Sequence, residues 1–130
     1  MILPLLQSDI VDLLDAACKG RIADIKAVNS EEAAVCVVLA SGGYPGNYPT
    51  GIEISGIEAV EHDAVAMVFH AGTKRENDRL LTNGGRVLGV TALDDTIATA
   101  IAKAYQQVDR ISFDGMYCRR DIGFKAINRP

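Results

Sequence analysis

Cysteine is scarce: Cys18, Cys36 and Cys118 lie far apart and none belongs to a C-x-x-C pair. Paired zinc ligands are therefore missing, and an odd thiol count without a secretory signal predicts reduced thiols in the cytoplasm. Basic residues are not in excess. Thirteen lysines and arginines face seventeen acids, for a net charge of -4, and they cluster no further than short pairs. That balance argues against a nucleic-acid platform, which needs a basic face for phosphates. A long hydrophobic run is also lacking. The opening MILPLLQSDIVDLL is apolar but short, and Asp9, Asp12 and Asp15 interrupt it, so neither a signal peptide nor a bilayer span is expected. No pair of carboxylates and no His-Asp-Glu cluster has metal-ligand spacing, and no serine or cysteine nucleophile signature occurs. Internal repeats and low-complexity segments are absent too.

What is present is a chain with 48% hydrophobic residues, too apolar for a disordered tail. At 130 residues it suggests one domain, or one domain plus a fragment, able to bury roughly two-thirds of its unfolded surface. Residues 1–6 form an apolar run with nothing before it to pair with. Ser8 is placed to cap a helix, with Asp9 at its positive end. Ile10, Leu13, Leu14 and Ala17 then recur at helical spacing, and Gly20 marks the stop. AAVCVVLA (33–40) is an unbroken valine-rich run, which predicts a buried strand; AVAMVFH (64–70) predicts a second apolar strand. SGGYPGNYPTG (41–51), with four glycines and two prolines, predicts a loop of several turns. Residues 74–79 are charged, as a hairpin tip should be. Residues 80–82 and 86–91 read as strands hinged at Asn83-Gly84-Gly85, a sequence that favours positive φ and a tight turn or bulge. Asp94 or Asp95 is expected to cap a long helix with Ile97, Ile101, Ala104, Tyr105 and Val108 in one stripe. Residues 111–113 suggest a last short strand. The order predicts an α+β domain with a mostly antiparallel sheet or open barrel, because helices do not separate the first strands.

Gly84-Gly85-Arg86-Val87-Leu88-Gly89 fits G-x-x-x-x-G but continues Val-Thr, without the lysine that reaches the β- and γ-phosphates. No helix is predicted at the second glycine, so the amide nest is missing as well. Glycine here serves close backbone approach or a sharp bend. Arg86 either presents its planar fork to a phosphate or carboxylate, or pairs with an acid such as Asp94, Asp95 or Asp121. The 41–51 loop is either a surface turn packed by Tyr44 and Tyr48 or one wall of a cleft. His70, at a strand end near Thr73 and Lys74, reads as a packing residue before it reads as a base. Arg119 and Arg120 are expected in ion pairs, and Cys36 in inert core.

Together SGGYPGNYPTG (41–51), VFHAGTK (68–74), LTNGGRVLGVTA (81–92) and FDGMYCRRDIGFKAI (113–127) resemble the C-terminal domain of the phosphoribosylamine–glycine ligases, the glycinamide ribonucleotide synthetases. LQSDIVDLLDAACKGRI (6–22) resembles the last helix of their ATP-grasp domain. The resemblance implies a domain division at 1–25 (end of the ATP-grasp domain) and 33–127 (C-terminal ligase domain). It implies the small, mostly antiparallel open barrel found at the end of biotin carboxylase-type enzymes. The family uses ATP with magnesium or manganese to activate glycine as an acyl phosphate, which the amine of 5-phosphoribosylamine attacks in purine synthesis. The arginine-phenylalanine-glycine-aspartate-proline-glutamate stretch and the metal-holding Glu and Asn that precede the helix in the family do not occur here. The resemblance thus implies a fragment, inactive alone, with no catalytic, ATP or metal ligand of its own. Its partners would be the N-terminal and ATP-grasp domains. Related ATP-grasp transformylases place the arginine of an R-x-L-G strand on the ribose phosphate. By that similarity Arg86 is the expected phosphate contact, with Lys74, Gly42 and Gly43 beside it. A stand-alone phosphosugar-binding module and a purely structural docking tail are the alternatives.

Overall fold

The structure is a computed structural model that describes residues 2–127, so Met1 of the opening apolar run lies outside the described residues. After a single 3-10 turn at Leu3–Leu5, helix α1 spans Ile10–Cys18. Strand β1 (Ala33–Ala40) is followed by α2 (Ile57–His62), β2 (Ala66–His70), β3 (Thr73–Glu76), β4 (Arg79–Thr82) and β5 (Arg86–Asp94). Helices α3 (Ile97–Val108) and α4 (Phe124–Ile127) complete the order. The fold is thus mixed helix and strand, with antiparallel sheets. Among the described residues no helix is long and apolar enough to cross a membrane.

Strand β5 is central, with β1 on one side and β2 on the other. Val37 faces Val90 and Leu39 faces Leu88, so the β-branched and leucine residues of one face align across strands. Helix α3 covers that face with Ala100, Ala104 and Val108, all fully buried, and Ile111 and Phe113 close the core behind it. The apolar runs predicted strands β1 and β2 correctly, but the strands are buried on one face only. Val38, Met67 and Phe69, on the other face, remain 43%, 39% and 46% exposed. The 3-10 turn at Leu3–Leu5 reaches only part of that face, against β1.

Both helix caps differ from expectation by one or two residues. Asp9, not Ser8, is the N-cap of α1, its carboxylate accepting from Val11 N; Ser8 Oγ instead accepts from Val28 N at 2.8 Å. Thr96, not Asp94 or Asp95, caps α3 in a reciprocal box with Thr99. The aspartates are diverted: β5 runs on through Asp94, whose carboxylate takes Lys103 Nζ at 2.8 Å.

The glycine hinge is also rearranged. Strands β4 and β5 do not form a hairpin with each other, because β4 pairs with β3 in a separate two-stranded sheet. The turn there is Asn77-Asp78, both at positive φ, as a two-residue hairpin of right-handed twist requires. Asn83-Gly84-Gly85 instead carries the chain from one sheet to the other, and neither glycine has positive φ. Their role is close approach. Gly72 and Gly84 stand back to back, with Gly72 N donating to Arg86 O and Asn83 N to Gly72 O. A β-carbon on Gly72 would meet only backbone atoms.

Candidate functional site

The 41–51 loop begins by hooking onto this glycine corner. Ser41 N donates to Gly85 O at 2.8 Å and Ser41 Oγ to Gly84 O at 2.9 Å, with Ser41 itself buried. The loop then lays the Tyr44 ring over Gly85, in the space a β-carbon would fill. Tyr48 holds Tyr44 from the side, ring to ring at 5.9 Å in an edge-on arrangement. Gly42 packs against the Gly115 carbonyl, and Gly43, at φ 93, leaves no room beside the Asn47 carbonyl. Both glycines are needed to turn the loop so that Tyr44 reaches Gly85.

A third segment joins on the other side. Tyr117 and Ala40 exchange both backbone hydrogen bonds at the edge of β1, which sets residues 117–122 beside the strand. Tyr105 on α3 pins the far end: its hydroxyl donates to Arg119 O and accepts from Ile122 N. The three segments enclose a hollow of about 230 Å³, floored by Cys36, Val38 and Ala40, with Ile122 and Cys118 beside them. Tyr44, Tyr117, Arg86 and Arg119 stand at its walls.

The two arginines of the hollow differ in their partners. Arg119 grips Asp121 through both Nε (2.9 Å) and Nη2 (2.6 Å), a bidentate fork that raises the Arg119 pKa and lowers that of Asp121. Arg86 has no such partner. Of the acids its side chain was expected to meet, Asp94 is taken by Lys103 and Asp121 by Arg119, and Asp95 makes no bond to it. Among the described residues the Arg86 guanidinium forms neither an ion pair nor a hydrogen bond. It is a free planar donor fork at the mouth of a hollow with an apolar floor, suited to a phosphate or carboxylate.

The other expected site residues are placed elsewhere. Lys74 sits on β3, paired with Glu76 at 3.0 Å, and lines no part of the Arg86 hollow; Gly42 and Gly43 do not line it either. His70, exposed at the end of β2, bonds Thr73 Oγ1 through Nδ1 at 3.1 Å and lines no part of the Arg86 hollow. Arg120 pairs with Asp109 at 2.6 Å and lies over the Tyr105 ring at 5.5 Å, as expected of an ion-paired arginine. Tyr44 and Tyr117 are the residues that sequence reasoning left out of the site. The available signal was a tyrosine inside a glycine-rich loop; the register that brings Tyr117 to Ala40 was not readable.

The residues present do not fit a nucleoside triphosphate. Strand β5 runs straight through Gly89, so no helix N-terminus follows the second glycine. Among the described residues no group of three His, Cys, Asp or Glu side chains is placed to hold a metal ion. The hollow is also smaller than the roughly 300 Å³ at which pockets for drug-sized ligands begin.

Comparison with known proteins gives a consistent picture. The family described as "Phosphoribosylglycinamide synthetase, C domain" matches residues 34–125. The chain is 49% identical over 124 residues to a phosphoribosylamine–glycine ligase of Vibrio cholerae, covering 95% of this chain and 29% of that protein. It is 50% identical over 127 residues to the ligase of the same name from Synechocystis, of which it covers 30%. A crystal structure of a phosphoribosylamine–glycine ligase from Thermotoga maritima aligns with a TM-score of 0.61 at 39% identity, over 68% of this chain and 21% of that one. The chain therefore spans under a third of the length of these relatives.

Proposed function

The chain belongs to the phosphoribosylglycinamide synthetase C-domain family, and from that membership we propose that it serves as the C-terminal part of an ATP-dependent ligase that joins glycine to 5-phosphoribosylamine in purine synthesis. Its share of the work is to hold the phosphorylated sugar, not to perform the chemistry. The observation that carries this reading is the unpartnered Arg86 fork beside a hollow of sugar-phosphate size. A guanidinium binds phosphate through two parallel N–H donors, and removing such a charged contact costs about 1.5–3 kcal/mol. Gly42 and Gly43 contribute by shaping the loop, and Lys74 by positive charge at longer range.

In this reading ATP, magnesium or manganese and the glycine-activating residues belong to N-terminal and ATP-grasp domains, which are the partners of residues 33–127 in the cytoplasm. Residues 1–25 would be the helical end of the ATP-grasp domain. The two antiparallel sheets, bridged by residues 51–54 along β4, would be the described part of a biotin carboxylase-like open barrel. The 130-residue chain supplied with ATP, glycine and phosphoribosylamine is expected to form no glycinamide ribonucleotide, and product formation would overturn the reading. In a full-length ligase carrying this domain, Arg86→Ala is expected to raise the KM for phosphoribosylamine roughly tenfold or more at little changed stability. Unaltered kinetics would assign Arg86 to docking. Ribose 5-phosphate binding by the chain alone that is as tight as sugar-phosphate binding by the full-length ligase would instead favour a stand-alone binding module.

A further inference from the structure

Arg86 explains the anion but not the shape around it. On either side of its hollow stands a tyrosine, Tyr44 at 41% and Tyr117 at 59% exposure. Neither phenol hydroxyl hydrogen-bonds a described residue. The Tyr44 ring is fixed from behind, and the backbone that carries Tyr117 is fixed as well. Tyr44 rests on the bare Gly85 backbone and against Tyr48, and Tyr117 is tied into the edge of β1 by two backbone bonds. A tyrosine placed this way while its polar tip stays unused is an amphipathic contact surface, apolar on its face and a donor at its end. The floor of Cys36, Val38 and Ala40, with Ile122 and Cys118 beside it, offers only weakly polar thiols in competition.

From this arrangement we propose that Tyr44 and Tyr117 are specificity-determining residues. They bracket the sugar of a phosphorylated pentose whose phosphate lies on Arg86, and Gly85 is the seat that sets the position of Tyr44. The inference rests on the reading of Arg86 as a phosphate anchor and deepens it. A bare phosphate ion uses Arg86 alone. A pentose phosphate adds its carbon-bound hydrogens against the two rings and its hydroxyls to the two phenols. A nucleoside monophosphate carries a base for which a hollow of about 230 Å³ has no room.

The test is a set of titrations of the 130-residue chain followed by the backbone amide signals of Ser41, Gly85, Arg86 and Tyr117. The probes are inorganic phosphate, ribose 5-phosphate and adenosine monophosphate. The wild-type chain is expected to bind ribose 5-phosphate at least about tenfold more tightly than inorganic phosphate, and adenosine monophosphate no better than inorganic phosphate. Tyr44→Leu and Tyr117→Leu should each reduce that preference severalfold while leaving the affinity for inorganic phosphate unchanged. Tyr44→Phe should retain part of the preference through its ring, and Gly85→Ala, which displaces Tyr44 without removing it, should act like Tyr44→Leu. Equal affinity for ribose 5-phosphate and inorganic phosphate in the wild-type chain would overturn the tyrosine bracket and leave Arg86 as the anchor. Binding of neither would overturn both. A preference that survives Tyr44→Leu and Tyr117→Leu, with the fold verified by the amide spectrum, would also overturn it.

Discussion

Gly85 and Arg86 are neighbours with opposite demands on space. The first must carry no side chain, because the Tyr44 ring lies where one would stand. The second projects a guanidinium that no acid neutralises. Removing a charge that makes no ion pair costs little, so Arg86→Gln is expected to shift unfolding free energy by less than about 0.5 kcal/mol. Urea denaturation checks this, and a loss above about 1 kcal/mol would reveal a structural pair. The paired carboxylates behave differently. Hydrogen bonds from Arg110, Lys103 and Arg119 hold Asp63, Asp94 and Asp121 respectively below their ordinary value of 3.8. A carboxylate whose folded pKa is depressed contributes stability that is complete above the unfolded value and is lost as pH falls through the folded one. The thermal midpoint should therefore decline as pH drops below about 4. Asp94→Asn, at the most sheltered of the three, should flatten part of that decline. An acid limb identical in wild type and in Asp94→Asn would show that the Lys103 pair contributes nothing.

At the scale of elements, ends and crossings decide more than interiors. Helix α3 has an apolar stripe that periodicity located, with Ala104 and Val108 fully buried and Ile97, Ile101 and Tyr105 against the core. Its start is less legible, because Asp94 and Asp95 are as good caps on paper as Thr96. The sheet register settles the choice, since Asp94 pairs with Ala33 and so belongs to β5. Thr96→Ala is expected to lower stability by about 1 kcal/mol, measured by thermal or urea unfolding, whereas Asp95→Ala should fall well short of that. The corner between the two sheets tolerates less. Gly72 faces Gly84 and Arg86 backbone atoms that cannot swing aside as a side chain would. Gly72→Ala is accordingly expected to cost about 1–3 kcal/mol and to disturb the amide signals of residues 83–86. A fully stable Gly72→Ala chain would show that the corner is looser than this packing implies.

Across the whole molecule the salient feature is the amount of apolar side chain left exposed. Ile2, Leu3, Val11, Leu14, Met67 and Phe69 are all substantially exposed, with Ile2 at 79%. Surfaces of this kind mark interaction sites or aggregation liabilities. The chain alone is expected to self-associate as concentration rises, and the double substitution Met67→Ser with Phe69→Ser should reduce that association in sedimentation experiments. A wild-type chain that stays monomeric at millimolar concentration would contradict this. Local chemistry alone determined a good deal of the protein. The valine-rich runs favoured strands and formed them, the glycine-proline cluster favoured a loop and formed one, and a missing lysine after G-x-x-x-x-G argues against a nucleotide loop. Those inferences hold because each depends on residues adjacent in the chain. The surroundings of Arg86 depend on which bases take the nearby acids and on a segment brought in from far along the chain. Lys103 captures Asp94 from nearly two turns into α3, Arg119 captures its near neighbour Asp121, and Tyr117 arrives from far along the chain through its pairing with Ala40. Whether Arg86 was a salt bridge or a free fork was therefore decided only by the tertiary structure, because several acids competed for several bases and the folded geometry chose among them.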